Sequence, residues 1–259
     1  MILSDLQLSK RLERAEAYAC AKFAEARGSE WIEVAGAYAV YDGGDSPVTQ
    51  CIGLGIFEPL TAHVLDQVEQ FFRERNAPVQ LEISPLAGVP ALDLLCARGY
   101  RPIEISSVLY QPVFAAAPVS CVRITGADEA GLWSKIGARG WAQEHPELQE
   151  FLLGFGAAMA ARAGSTCFLA EIDGQPGAAG ALSIHEGVAL FAGSATLPEF
   201  RRRGLQAALL QARMHHAAGH GCDLAIMVAE AGSSSQRNAE RQGFRIAYTR
   251  TKWKLPAAP

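Results

Sequence analysis

Apolar residues recur along the chain with two different periods. At helical spacing, Val64, Leu65, Val68, Phe71 and Phe72 form one stripe, and Leu205, Ala208, Leu209 and Ala212 form another much later. Elsewhere the pattern shortens to strand-like runs: Val79 to Ile83 and Ile103 to Tyr110 early, Leu224 to Val228 and Ala247 to Leu255 late. Asp42-Gly43-Gly44 and Asp173-Gly174 supply turn chemistry inside strand-rich stretches. Each half thus predicts one order: one or two helices, several strands, an amphipathic helix, a strand, a short helix and a closing strand. That order describes a mixed α/β (α+β) sandwich of a sheet and flanking helices.

The halves also resemble each other in detail. Gly99-Tyr100-Arg101 and Gly243-Phe244-Arg245 stand in similar settings, 243 − 99 = 144 positions apart. The same offset carries Ala87-Gly88 onto Ala231-Gly232 without a gap. Between the halves, Gln111 to Pro118 holds two prolines and three alanines and predicts a short linker. Two domains are expected, residues 1–116 and residues 117–259.

Composition narrows the class without choosing a function. With 259 residues, 49% apolar and 19% charged, the chain has the make-up of a soluble globular protein with material for two cores. A net charge of -4 argues against broad nucleic-acid binding. Met1 to Lys10 shows no basic-then-apolar signal pattern, and no apolar run reaches the roughly 18 residues of a membrane span. A cytoplasmic protein with no membrane contact is expected, as a monomer or homodimer. Six scattered cysteines lack any Cys-x-x-Cys pairing, predicting reduced and mostly buried thiols and no metal. His215 and His216 are adjacent, so on a helix they diverge by about 100° and do not share an ion.

The most informative segment is Pro198-Glu199-Phe200-Arg201-Arg202-Arg203-Gly204-Leu205-Gln206-Ala207, where a strand exit runs into the second stripe. A helix N-terminus is already partly positive, so three arginines there are locally unfavourable unless an anion offsets them. Free amides, the helix dipole, the guanidinium groups and a glycine that admits close approach together make a phosphate cradle. The first half is a natural control. Its matching stretch, Phe57-Glu58-Pro59-Leu60-Thr61, has a carboxylate and a proline where the second has Arg202 and Arg203. These suit an ordinary helix start and suit an anion badly.

The run from Pro198 to Leu205 resembles the acyl-CoA signature of the GNAT acyltransferases, Gln/Arg-x-x-Gly-x-Gly/Ala, with its Pro-Glu-aromatic lead-in. Gly243-Phe244 is similar to that family's closing Gly-Phe. The resemblance spans roughly residues 119 to 255, and the first half follows the same plan without the signature. It implies two tandem GNAT-like domains, each a mixed, mostly antiparallel sheet flanked by helices, the first degenerate. It also implies acetyl-CoA as cosubstrate and an amine as acceptor. Ser194, Ala195 and Thr196 would lie on the strand that receives the pantetheine arm. Arg201, Arg202, Arg203, Gly204, Leu205, Gln206 and Ala207 would surround the pyrophosphate. Gln206 departs from the family's Gly or Ala. Ser233 holds the place where the family often has a cofactor-contacting Asn, with Asn238 as a substitute.

For the chemistry, backbone amides near Thr196 are candidate donors to a developing oxyanion. Glu230, at the end of the run from Leu224, is the candidate base; Glu171, Glu186 and His185 are weaker ones. Where the family commonly places a tyrosine to protonate the leaving sulfur stands Ala239, with Tyr248 on the closing strand the nearest phenol in sequence. Trp141 and Glu144, beside His145, mark the expected acceptor region. An active N-acyltransferase is the first reading; a non-catalytic acyl-CoA sensor or partner-binding protein is the alternative.

Overall fold

The computed structural model of the protein describes residues 4–142, 149–161 and 164–256. The first elements in chain order are α1 (Leu6–Ala26), β1 (Glu30–Val34), β2 (Ala37–Tyr41), β3 (Gln50–Ile52), α2 (Ala62–Arg73), β4 (Gln80–Ile83), α3 (Val89–Ala97) and β5 (Arg101–Pro112). There follow β6 (Val122–Ile124), α4 (Ala130–Trp141), α5 (Gln149–Ala161), β7 (Ser165–Ile172), β8 (Gln175–His185) and β9 (Val188–Thr196). The chain closes with α6 (Leu205–Gly219), β10 (Leu224–Glu230), α7 (Ser234–Arg241) and β11 (Arg245–Lys254). Both expected stripes are helical, and every expected strand run forms. β5 continues to Pro112, into the stretch read as linker.

The chain forms two compact units, and neither is one continuous stretch. One comprises Met1–Leu109, Val228–Arg237 and Arg245–Pro259; the other comprises Tyr110–Met227 and Asn238–Phe244. In the first unit the strand order is β1-β2-β3-β4-β11-β5. β1 to β3 pair antiparallel, β3 and β4 pair in parallel across the α2 crossover, and β11 lies antiparallel to β4. In the second unit the order is β10-β9-β8-β7-β6. There β6 to β9 pair antiparallel, and β9 and β10 pair in parallel across the α6 crossover. The parallel pairs need a crossover and the antiparallel pairs do not, so helix stripes and strand runs had to alternate as they do.

In the first unit α2 turns Leu65, Val68, Phe71 and Phe72 onto the sheet, where they join Leu54, Leu81, Ile83 and Leu95 in one core. Burying each such side chain stabilises by about 1.5–3 kcal/mol. Thr61 caps α2, its hydroxyl accepting the Val64 amide at 3.3 Å.

The same unit holds a buried ionic cluster. Arg250 of β11 is 2% exposed; its Nη1 and Nη2 each donate to Glu16 at 2.7 Å, and its Nε lies 3.0 Å from Glu82 of β4. Tyr248 donates to Glu13 of α1 at 2.7 Å. Burial alone would lower the Arg250 pKa, but Glu16, Glu82 and Glu13 hold the guanidinium well above its ordinary value.

Of the six free cysteines, Cys51, Cys167 and Cys222 are buried, whereas Cys96 and Cys121 are exposed. The exposed pair lies near the end of α3 and just ahead of β6. No described helix is long and apolar enough to cross a membrane.

Candidate functional site

In the second unit, β9 and β10 pair only through Val188↔Leu224, Ala189↔Ala225 and Leu190↔Ile226. β9 then runs on to Thr196 with no further partner on that side among the described residues. A parallel pair that parts midway leaves one strand's amides and carbonyls facing open space. Ser194 and Thr196 are half-exposed here, while Ala195 turns into the core.

After Thr196 the chain makes a short 3-10 turn, Pro198–Phe200, and enters α6 through the arginines. Arg202 has φ 61 and Gly204 has φ 83, both left-handed. An arginine there is strained by roughly 1 kcal/mol or more, whereas glycine is not. Left-handed residues of this kind also occur in the loops of successive amides that bind anions. Gly204 is the N-cap of α6 and gives it no side-chain cap, unlike Thr61 at α2. A Cβ placed on Gly204 would meet nothing within 4 Å. Arg202, Arg203 and Gly204 are exposed, and Leu205 anchors the turn at 3% exposure. Gln206 folds back so that its Nε2 donates to Thr196 Oγ1 at 2.6 Å, and Ala207 is half-buried. The amide side chain that departs from the signature is therefore turned to β9, leaving the helix opening uncovered.

Arg201 points elsewhere. Its Nη2 donates to the Gly140 carbonyl at 2.9 Å and its Nε to the Thr196 carbonyl at 3.4 Å. Three more contacts join the last turn of α4 to this segment. Trp141 Nε1 donates to the Ser194 carbonyl at 3.1 Å, and Arg139 pairs with Glu199 at 3.0 Å. At Gly140 the approach is so close that a Cβ would stand 2.7 Å from that of Ala195. Trp141 remains 40% exposed. Glu144 and His145 lie outside the described residues.

The remaining candidates are more dispersed. Asn238, on α7 in this unit, is exposed and accepts from Arg241 at 3.0 Å. Ala239 is fully buried. Glu230 and Ser233 fall in the first unit, Glu230 exposed at the tip of β10 and Ser233 accepting the Gln236 amide at 3.2 Å. Tyr248 is also in the first unit, buried against Glu13, with burial and that carboxylate raising its pKa well above the ordinary phenol value. Glu171 accepts from Arg123 at 2.6 Å, and Glu186 occupies a tight turn at φ 46 beside His185.

A parallel pair that parts midway and an arginine-rich helix start without a side-chain cap thus stand together at one end of the second unit's sheet. Residues 132–244 match the model of the acetyltransferase (GNAT) family. The chain carries a GNAT domain. Solved structures of similar fold extend the likeness over both units. A GCN5-related N-acetyltransferase from Kribbella flavida, 18% identical, superposes with TM-score 0.67 over 94% of this chain and 95% of that one. A putative GNAT-family acetyltransferase from Novosphingobium aromaticivorans, also 18% identical, gives 0.59 over 94% and 97%. A tandem GNAT protein from the clavulanic acid biosynthesis pathway, 13% identical, gives 0.56 over 100% and 98%. At these identities the likeness is one of fold, and the fold is two tandem GNAT-like sandwiches. Comparison with curated protein sequences finds no match.

Two features of the GNAT domain went unread in the sequence. Gly140 admits α4 to the backbone of Thr196, and nothing in its neighbourhood marks it. Arg213 is fully buried in α6. Its signal was available: it stands four places after Leu209, inside the apolar stripe.

Proposed function

We propose that the protein is an N-acetyltransferase that moves an acetyl group from acetyl-CoA to the primary amine of a small molecule. The observation that carries this reading is the opening of α6, left-handed at Arg202 and Gly204, without a side-chain cap and open to approach. The first four amides of a helix have no intrahelical acceptor, and here a diphosphate would take that place, with Arg202 and Arg203 supplying charge. Ser194 to Thr196 would receive the pantetheine arm along the unpaired side of β9. Leu205 and Ala207 shape the turn, and Ser233 and Asn238 are the further cofactor contacts that the family resemblance suggests.

Direct attack then follows ordinary acyl-transfer chemistry. The neutral amine adds to the thioester carbonyl, amides near Thr196 stabilise the oxyanion, and collapse breaks the C–S bond. Glu230 is the proposed base that takes the amine's proton. The leaving thiolate needs no dedicated acid, because a thiol's ordinary pKa of about 8.5 already makes it a fair leaving group. Trp141, held by its indole N–H but exposed, offers an aromatic wall for a cationic or aromatic acceptor, with Glu144 beside it in sequence.

A second reading has one observation in its favour. With Ala239 buried and Tyr248 bonded to Glu13, neither phenol position leaves a proton donor free. A protein that binds acyl-CoA without turnover would have this arrangement too. Calorimetric titration with acetyl-CoA, followed by an amine panel monitored for free thiol, separates the two. One mole bound per chain with thiol released on adding an amine is the expected result. Binding without release across the panel supports the sensor, and absence of binding overturns both.

A further inference from the structure

Resting on that reading, we propose that Arg213 is a positioning residue for β9, holding the bulge that decides which groups of Ser194 and Thr196 face the cofactor arm. The bulge is plain in the register. Ala181 pairs with Ala192, but two residues back along β8 Ala179 pairs with Ala195, so β9 carries one extra residue between these rungs. Within it Gly193 is left-handed at φ 60. Adding one residue to a strand reverses the facing of everything after it. Here it puts Ala195 into the core at 5% exposure and leaves Ser194 and Thr196 half-exposed.

The bulge is clamped on both faces of the sheet. On one face Arg213 Nη1 donates to the carbonyls of both Ala181 and Ala192, at 3.2 Å and 3.4 Å, bridging the rung where the extra residue enters. Its Nε donates to the Leu209 carbonyl at 3.1 Å, and its Cζ stands 4.9 Å from the centre of the Phe191 ring. On the other face Trp133 Nε1 donates to the Gly180 carbonyl at 3.1 Å. Its ring lies close enough that a Cβ on Gly193 would be 3.2 Å away.

The clamp is an expensive way to fill a core. Arg213 is 1% exposed, its Nη2 has no hydrogen-bond partner among the described residues, and its hydrogen bonds go to neutral carbonyls rather than a carboxylate. Burial draws its pKa down to about 9, so it stays charged at neutral pH. An apolar side chain of similar length would occupy the space without that desolvation cost. What it would lack is a donor to two strands at once, at the rung just beyond Leu190↔Ile226 where β9 and β10 part.

The test uses Arg213→Met in the full chain, titrated by calorimetry with two compounds. Adenosine 3′-phosphate 5′-diphosphate carries the diphosphate but no arm; acetyl-CoA carries both. The variant should bind the fragment within about twofold of wild type and acetyl-CoA about tenfold or more weakly, and Arg213→Lys, whose ammonium ends one atom short of Nη1 and lacks the Nε donor to Leu209, should do the same. If Arg213→Met does not fold, Trp133→Phe, which keeps the ring face but loses the Gly180 bond, should give the same split. Equal loss of both compounds, or no loss of either, overturns the role of Arg213 alone. A wild type that binds neither compound overturns the functional reading with it.

Discussion

Each unit has one parallel strand pair joined by a helical crossover, and the two crossovers differ where the helix begins. In the second unit β9 outruns its parallel pairing, and α6 opens through left-handed Arg202 and Gly204 with no side-chain cap. In the first unit β3 ends at Ile52, one rung after Cys51↔Leu81, so there is no overhanging strand. Its helix start is closed by Thr61, whose side chain accepts the Val64 amide. The lesson is that the anion site proposed for the second crossover rests as much on omission as on addition. That crossover lacks both a side-chain cap and a paired strand edge, and its arginines stand where the first has a carboxylate and a proline.

The largest test of that contrast is Gly204→Asp, which sets a carboxylate and left-handed strain at the helix opening. Affinity for acetyl-CoA should fall about a hundredfold or more in calorimetry, roughly 3 kcal/mol, while Glu58→Gln at the first crossover changes nothing. A titration giving two moles bound per chain would break the contrast outright. Arg250→Met probes the first unit as scaffold. Leaving Glu13, Glu16 and Glu82 without their shared cation should cost about 3–5 kcal/mol in denaturant unfolding. Arg202→Gln and Arg203→Gln should each weaken acetyl-CoA binding by about 1.5 kcal/mol, an effect that shrinks as salt is raised. Thr61→Ala should cost about 1 kcal/mol of stability and leave acetyl-CoA affinity untouched, because only the first crossover relies on a side-chain cap.

The smallest effect concerns His216, whose place in the first half is held by Phe72 (216 − 144 = 72). Burial, with the charges of His220 and His215 adding, holds its imidazole below the ordinary value of 6.5. The folded chain resists its protonation, so its contribution is full above that value and is lost as pH falls through the lowered one. His216→Phe should flatten that slope in unfolding curves taken in mild acid.

Much of the fold was legible because the two periods are distinct and each element is short enough to hold one of them. The uncapped loop was legible too, because three arginines at a helix start conflict with the helix dipole unless something offsets them. Pairing partners were not. β5 and β11 carry the same pattern, and nothing local says that β11 will lie beside β4. Tyr248 looked like an available phenol, and only a glutamate 235 positions away removes it. Arg213 was not legible, since a basic residue on a helix is usually a surface charge. Its place next to the stripe of Leu205, Ala208, Leu209 and Ala212 was the contrary sign.

One consequence follows from β11 lying against β4. The N-terminal half cannot be completed as it leaves the ribosome. Until the final strand is synthesised, Glu82 has no guanidinium beside it and that side of β4 has no ladder. Completing the first unit's sheet therefore waits for β11, a pairing that closes a loop of about 170 residues. Deleting β11 would harm β4, its partner far back in the sequence.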